Sequence, residues 1–170
     1  MLTKNYYVLD QCFRTGRTYS SSYVYDVNNS SRSPNSNYAN YWGLLCNATE
    51  IYVGDISAST YGIRMGSGTR APALTDINLE SPIVKGLSII NRPSRDRVVF
   101  SDRVEYPVSF VVRNSTSKDI TVSELGMFTR ADNSNAGILL DRTVLDEPVV
   151  IPAGERRMIT YTFVFNDPNM

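Results

Sequence analysis

Histidine is absent from this chain of 170 residues. The protein therefore lacks the one side chain whose unperturbed pKa makes it the usual general base near neutral pH. The same absence excludes Ser/His and Cys/His nucleophile pairs and most catalytic zinc sites. We expect a protein that is not an enzyme and has no cofactor or metal site.

Cysteine is scarce, with Cys12 and Cys46 as the only examples. Two cysteines can pair on count alone, but neither has the spacing of a metal ligand. A protein made in a cytoplasm keeps its thiols reduced. We therefore expect packed thiols and no disulfide.

An excess of one charge and long apolar runs are also missing. Lys plus Arg and Asp plus Glu both number 17, so no basic excess predicts binding to nucleic acid or to an anionic membrane. The apolar runs are far shorter than the roughly 18 residues of a spanning helix. Residues 1–7 lack the basic region and apolar core of an export signal. We expect synthesis in a cytoplasm and no membrane partner.

What the chain does contain is a succession of short segments with strand character. They are rich in β-branched and aromatic residues and are separated by turn residues. These segments are residues 61–65, 83–90, 104–112, 120–129, 137–145, 148–151 and 156–165. Amphipathic helices that could serve as parallel crossovers are not evident between them. The sequence predicts an all-β fold, an antiparallel β-sandwich with jelly-roll-like or Greek-key connections.

One of these segments alternates with a period of two, from Val104 to Val112. Pro107 lies within it and cannot donate a hydrogen bond to a neighbouring strand. We therefore predict that this strand lies at a sheet edge or carries a bulge. An open edge in an assembling protein can accept a strand from a neighbour.

The N-terminal region differs from the rest. Residues 6–13 predict one short strand or a docking segment, and residues 14–41 are dominated by Ser, Asn, Tyr and Arg. Such a segment is either a surface loop or an arm that orders on a neighbouring subunit. We divide the chain into an interface-forming N-terminal arm or long polar loop, residues 1–41, and a β-sandwich domain, residues 42–170. Residues 42–53 leave helix and strand open.

Two groups of residues are candidates for a phosphate-binding and a calcium-binding site. Gly66 and Gly68 lack the rest of a phosphate-binding motif and predict a glycine-rich connection. Asp76, Asn78 and Glu80 lack the spacing of a helix-loop-helix calcium site and predict solvated, turn-forming residues.

Two further carboxylates lie in predicted strands. Glu124 either faces solvent or an interface, or is buried against an arginine such as Arg142; we favour the first because unpaired buried carboxylates are costly. Asp141 and Glu147 are a conceivable hydrolase pair, but their spacing does not show that they converge. We assign no catalytic, cofactor-binding or metal-binding residue.

Between about residues 61 and 165 a further set of stretches stands out: Met65–Pro72, Asp76, Leu79, Pro82–Ile83, Ser123–Phe128, Leu139–Arg142, Pro148–Gly154 and Ile159–Tyr161. They resemble a recurring pattern in structural proteins of tailed-bacteriophage virions, including collar-like domains of tail fibres and accessory proteins of heads and necks.

The resemblance implies a non-enzymatic virion component, made in the host cytoplasm, that decorates the capsid or serves in a collar or in fibre attachment. It implies a homo-oligomer that binds capsid, portal, neck or tail subunits. The alternative is a carbohydrate-binding or adhesive β-sandwich, because Trp42 and the abundant tyrosines can stack on sugars.

Overall fold

The protein folds around two antiparallel β-sheets whose apolar faces pack against each other. The computed structural model describes residues 1–15, 24–32, 62–91, 94–95, 98–129 and 137–166. The elements are α1 (Lys4–Thr15), β1 (Val24–Tyr25), β2 (Ser31–Arg32), β3 (Gly62–Gly66), β4 (Leu87–Ile89), β5 (Ser94–Arg95), β6 (Val98–Val99), β7 (Arg103–Asn114), β8 (Ile120–Thr129), β9 (Ile138–Ile151) and β10 (Arg156–Asn166). The predicted all-β antiparallel sandwich is confirmed.

The five-stranded sheet is centred on β7. It has the order β10-β7-β4, and β5 and β6 also pair with β7. The three-stranded sheet has the order β3-β8-β9. Strands β1 and β2 form a separate antiparallel hairpin.

The long strands wrap as a nested ribbon. The outer pair, β7 and β10, lies in one sheet, and the inner pair, β8 and β9, lies in the other. The two crossing connections lie side by side, because the backbone nitrogen of Asn114 donates to the carbonyl oxygen of Glu155 at 2.9 Å. In the second connection Gly154 has a φ of 74°, which glycine adopts without strain. Nested pairing of this kind is how a jelly roll is connected.

The core lies between the sheets and follows the alternation of the strands. Buried residues of the five-stranded sheet are Val108, Phe110 and Val112 on β7 and Ile159, Tyr161 and Phe163 on β10. They pack against Ile63, Met65, Val122, Leu125, Met127, Ile138, Leu140 and Ile151 of the other sheet. Alternation on β7 thus has the predicted effect.

The expectation for Pro107 was wrong in part. Strand β7 lies inside its sheet, with β10 on one side and β4, β5 and β6 on the other, and its pairing with β10 shows no bulge. The nitrogen of Pro107 faces the side of β5 and β6, between the pairs Arg95–Val108 and Val98–Glu105. The described pairs of β5 and β6 do not include Pro107, so its missing N–H group breaks no described strand bond.

Strand β9 carries an extra residue that changes which side chains face outward. Met127 pairs with Asp141 but the next residue, Phe128, pairs with Leu139, so Leu140 is the bulged position. A bulge shifts the alternation by one residue. Leu139 and Arg142, three positions apart, therefore both lie on the outer face of the three-stranded sheet.

Near the N-terminus, where the sequence left one short strand or a docking segment open, the strand was wrong. Residues 4–15 form helix α1, and Tyr6 and Leu9 on it are buried in the core cluster. The helix also holds the β1–β2 hairpin, since the Asn5 side chain bonds both backbone groups of Tyr25 at 2.9 and 3.0 Å. The division between residues 41 and 42 lies outside the described residues, as does the segment 42–53.

Irregular segments cover part of each edge of the three-stranded sheet. On β9, the backbone nitrogen of Thr3 donates to the carbonyl oxygen of Leu140 at 2.8 Å. On β3, the nitrogen of Ile83 donates to the carbonyl oxygen of Met65 at 2.9 Å. The covered part of each edge cannot pair with another chain.

Candidate functional site

A buried ion pair joins β8 and β9 on the outer face of the three-stranded sheet. The Nε of Arg142 donates to Oε2 of Glu124 at 2.7 Å, and both side chains are 0% exposed. Our preference for a solvent-facing or interfacial Glu124 was therefore wrong, and burial against Arg142 is what occurs. Residues 67–82, which we call the 67–82 loop, fold over this face and exclude water from it.

The carboxylate of Glu124 has four hydrogen-bond donors. Its Oε1 accepts from the backbone nitrogens of Gly68 at 3.2 Å and Ser81 at 2.8 Å. Its Oε2 accepts from the nitrogen of Glu80 at 3.1 Å, in addition to Arg142. Four donors fill the acceptor sites of a carboxylate. Glu124 therefore fastens both ends of the 67–82 loop to the sheet.

Two glycines make this approach possible. A Cβ at Gly66 would lie 2.3 Å from Oε1 of Glu124 and 2.7 Å from the carbonyl oxygen of Ser81. A Cβ at Gly68 would lie 2.7 Å from the same carboxylate oxygen. The two glycines therefore leave room for the carboxylate of Glu124. They lie where β3 ends and the 67–82 loop begins, and this connection contains no helix.

Arg142 has further partners in the loop. Its Nη1 donates to Oδ2 of Asp76 at 2.9 Å, and its Nη2 donates to the carbonyl oxygen of Arg70 at 3.0 Å and lies 3.6 Å from Oε2 of Glu80. We call Arg70, Asp76, Glu80, Glu124 and Arg142 the Glu124–Arg142 network. The guanidinium group is thus bonded on all three nitrogens.

The expectation of solvated Asp76 was wrong, since its side chain is only 7% exposed. Besides Arg142, it bonds the Arg70 side chain at 2.6 Å and the backbone nitrogen of Ala73 at 2.9 Å. Glu80 is exposed but accepts from the backbone nitrogens of Thr69 and Arg70 at 2.7 and 2.8 Å. Each carboxylate therefore shapes the loop.

The network shifts the pKa of several members. Burial disfavours ionised Asp76, but bonds from Ala73, Arg70 and Arg142 outweigh it and hold the pKa of Asp76 below its ordinary value. The backbone bond from Arg70 lowers the pKa of Glu80 against a smaller desolvation effect. Burial opposes the charge of Arg142, yet Glu124 and Asp76 raise its pKa. The charged forms are the ones that the fold stabilises.

An apolar contact completes the underside of the loop. Leu79 packs with Phe128 and Leu139 in a second buried cluster. Gly126 lies beneath it, because a Cβ there would meet the side chains of all three at 2.8–3.0 Å. The loop is therefore held by charge at both ends and by a leucine between them.

Asp141 and Glu147 do not form a carboxylate pair. Both lie on β9, six residues apart, which corresponds to roughly 20 Å of extended strand. Asp141 is buried and accepts hydrogen bonds from Tyr161 and from Thr143, whereas Glu147 is exposed. Burial and the neighbouring Asp141 raise the pKa of Tyr161 well above its ordinary value, so the phenol stays protonated as the donor.

Other predicted features lie outside the part of the chain that the structure describes. They are the side chain of Cys12, and all of Cys46, Trp42, Tyr19, Tyr23, Tyr38 and Tyr41. Among the described residues, His, Cys, Asp and Glu side chains form no group that could hold a metal ion. Within the same residues, no helix has the length and apolar character to cross a membrane.

The chain was also compared with known proteins. No protein-family model, no curated protein and no solved structure matches it.

Proposed function

We propose that this protein is a non-enzymatic structural component of a tailed-bacteriophage virion, which associates with itself and with neighbouring head, neck or tail proteins. The observation that carries the proposal is the convergence of the phage-like stretches. Met65–Pro72, Ser123–Phe128 and Leu139–Arg142 are far apart in the chain, yet they meet around one ion pair. The resemblance therefore rests on one three-dimensional unit.

The chemistry of that unit favours a mechanical role. Glu124 has four donors and Arg142 is bonded on all three nitrogens. A general base needs a free lone pair near the substrate, and a buried carboxylate with four partners offers none. In this proposal the network fixes the 67–82 loop as a rigid surface for a neighbouring subunit.

The test is quantitative mass spectrometry of gradient-purified particles from a host that carries the phage genome encoding this chain. We expect the protein in the particles at a fixed ratio to the major capsid protein. A non-structural protein of the same phage, abundant in the lysate, serves as the control and should be lost on purification. Finding this chain only in the lysate would contradict the proposal.

A second experiment supplies variants of the protein in place of the unchanged protein and measures how much of each enters the particles. Particles assembled with Glu124→Ala should contain little of the protein, because the loop loses its anchor. Glu147→Ala, which changes an exposed glutamate on the same sheet, should enter particles as the unchanged protein does. Equal incorporation of both variants would show that the loop is not the contact surface.

A further inference from the structure

Strand β10 has a hydrogen-bonding partner on one side only among the described residues. It pairs with β7 from Arg156 to Asn166 without a register shift. Within these bounds β10 has no proline, glycine or bulge, and its charged residues, Arg156 and Arg157, lie at one end. Natural edge strands are usually guarded by such devices. In the part of the chain that the structure describes, none of these devices guards the edge of β10, so the edge can accept a second strand.

The direction of each backbone group on β10 follows from one bond. Asn114 donates to the carbonyl oxygen of Glu155, so the odd-numbered residues of β10 exchange bonds with β7 in this register. The even-numbered residues, including Thr160 and Thr162, direct their N–H and C=O groups to the opposite edge. A partner strand must bond to these even-numbered positions.

The side chains of β10 are symmetric about Tyr161. On the outer face the order is Met158, Thr160, Thr162, Val164, which reads apolar, hydroxyl, hydroxyl, apolar from either end. A second β10, antiparallel and related by a two-fold axis at Tyr161, places Met158 opposite Val164 and Thr160 opposite Thr162. Aliphatic and Thr–Thr pairs of this kind stabilise adjacent strands.

The same register satisfies the backbone. It matches even-numbered residues with even-numbered residues, and these are the residues whose N–H and C=O groups face the open edge. Shifting the axis to Thr160 would keep that match but would place Met158 against Thr162 and Arg156 against Val164. The arrangement centred on Tyr161 is the one that matches both backbone and side chains.

An apolar row crosses the outer face of the five-stranded sheet and ends at this edge. Met158 is 71% and Val164 39% exposed, and Met158 is level with Val111 on β7, which accepts a bond from Ile90. Single exposed apolar residues are ordinary on a protein surface. In the paired arrangement the row of Ile90, Val111 and Met158 would continue into Val164 of the second copy, so Met158 and Val164 would each gain an apolar neighbour.

We infer that two copies of this chain associate through antiparallel pairing of β10 about Tyr161, so that the two five-stranded sheets become one. This gives a surface and a register to the self-association in the proposed function, and rests on that part of it. The contact is one strand pair and its flanking side chains, which is the size of a weak or transient interface.

Hydrogen exchange of the β10 amides at several protein concentrations tests the edge. We expect Met158, Thr160, Thr162 and Val164 to exchange quickly at about 10 µM and to become protected towards about 1 mM, as a small interface requires. Ile159, Tyr161 and Phe163, bonded to β7, are protected throughout and serve as the internal control. Protection of the even-numbered amides that dilution does not remove would overturn the inference, since another part of the same chain would then cover the edge.

A charge exchange tests the register, with light scattering as the readout. Met158→Lys and Val164→Glu should each weaken the dimer at least tenfold, and the two together should restore it because each lysine then lies opposite a glutamate of the other copy. Combining Met158→Lys with Val164→Lys should not restore it. Circular dichroism confirms that every variant is folded.

Each outcome is distinct from the particle test. A monomer at all concentrations, or a dimer that none of these changes affects, would overturn the inference even if the protein is found in particles. A dimer with the expected charge response but no incorporation into particles would support the inference and contradict the virion role.

Discussion

The outer face of the three-stranded sheet is covered by the 67–82 loop, and irregular segments cover one end of β9 and part of β3. In the described part of the five-stranded sheet, by contrast, β10 pairs on one side only and its outer face from Met158 to Val164 is exposed. The buried charges lie on the covered side, where Glu124 and Arg142 form a fully buried ion pair. On the five-stranded sheet the charged side chains of the outer face are Arg103, Glu105 and Arg113 of β7 and Arg156 of β10, whereas Met158 to Val164 of β10 is an exposed stretch without charge. The chain therefore positions its own loop with charge, and the edge of β10 is uncharged where we propose that a second copy pairs.

The difference also concerns specificity. A buried ion pair adds little net stability over an apolar pair, but it is costly to leave half of it unmatched. The network therefore gives the 67–82 loop one position and penalises others. No described residue fixes the open edge of β10 in a comparable way, and its backbone groups and aliphatic side chains can accept a partner without internal rearrangement.

Replacing Glu124 should lower the free energy of unfolding more than any other single change considered for the three-stranded sheet and its loop. Glu124→Ala leaves Arg142 buried without its closest partner and leaves three loop amides without an acceptor. We expect the free energy of unfolding, measured by urea titration, to fall by about 3–5 kcal/mol. Glu147→Ala, the exposed control, should change it by less than about 0.5 kcal/mol.

A double replacement separates the ion pair from the amides. Glu124→Leu with Arg142→Met removes both charges but still leaves the three amides unpaired, so we expect stability to stay well below that of the unchanged protein. A double variant as stable as the unchanged protein would show that the loop amides do not need the carboxylate.

A smaller loss of unfolding free energy is expected when alanine replaces Gly66 beneath the 67–82 loop. Gly66→Ala places a Cβ 2.7 Å from the carbonyl oxygen of Ser81 as well as against Glu124, and backbone cannot give way as a side chain does. We expect a loss of about 1–3 kcal/mol, as for overpacked sites. Ser67→Ala, at the neighbouring exposed position, is the control. An unchanged urea midpoint for Gly66→Ala would contradict the close approach.

Acid should lower the stability of the protein, because the Glu124–Arg142 network contains carboxylates that must stay ionised. Asp76 and Glu80 have folded-state pKa values below their ordinary values of 3.8 and 4.5. Below those ordinary values the unfolded chain binds more protons than the folded one, so stability is full above them and is lost as pH falls. We expect Asp76→Asn to be less stable at neutral pH and less sensitive to acid than the unchanged protein. Thermal unfolding between pH 7 and about pH 2 measures this, with Asp146→Asn as the control; identical slopes would contradict it.

The smallest effect on the free energy of unfolding is expected from a substitution on the exposed face of β10. Met158→Lys changes a side chain that is 71% exposed, so the free energy of unfolding of the dilute protein should change by less than about 0.5 kcal/mol. The same variant should change self-association strongly. A loss of more than about 1 kcal/mol in dilute solution would show that Met158 is covered within one chain.

The alternation of the long strands was sufficient to predict the sandwich. Val108, Phe110 and Val112 are buried as their period requires. The helix at residues 4–15 was missed because the apolar residues between positions 6 and 13 were interpreted as one short strand or a docking segment. The spacing of residues 6, 9 and 13, by three and four, was the available helical signal.

The site was harder to predict than the fold, because its residues come together only through tertiary structure. Glu124 looked costly to bury when Arg142 was eighteen positions away and a loop at residues 67–82 had not yet been placed over both. Asp76 looked like a turn residue for the same reason. Gly66 and Gly68, without a phosphate motif, were the local sign that some other group approaches the backbone closely.

The bulge at Leu140 has a consequence for recognising this unit in other chains. Here the leucine that supports the loop and the arginine that anchors it stand three positions apart, as Leu139 and Arg142. In a protein that has the same arrangement without the bulge, simple alternation would place them two positions apart. A search that fixes the spacing would overlook such a protein. A search that allows either one or two residues between the leucine and the arginine, and requires a glutamate on the preceding strand, would find both.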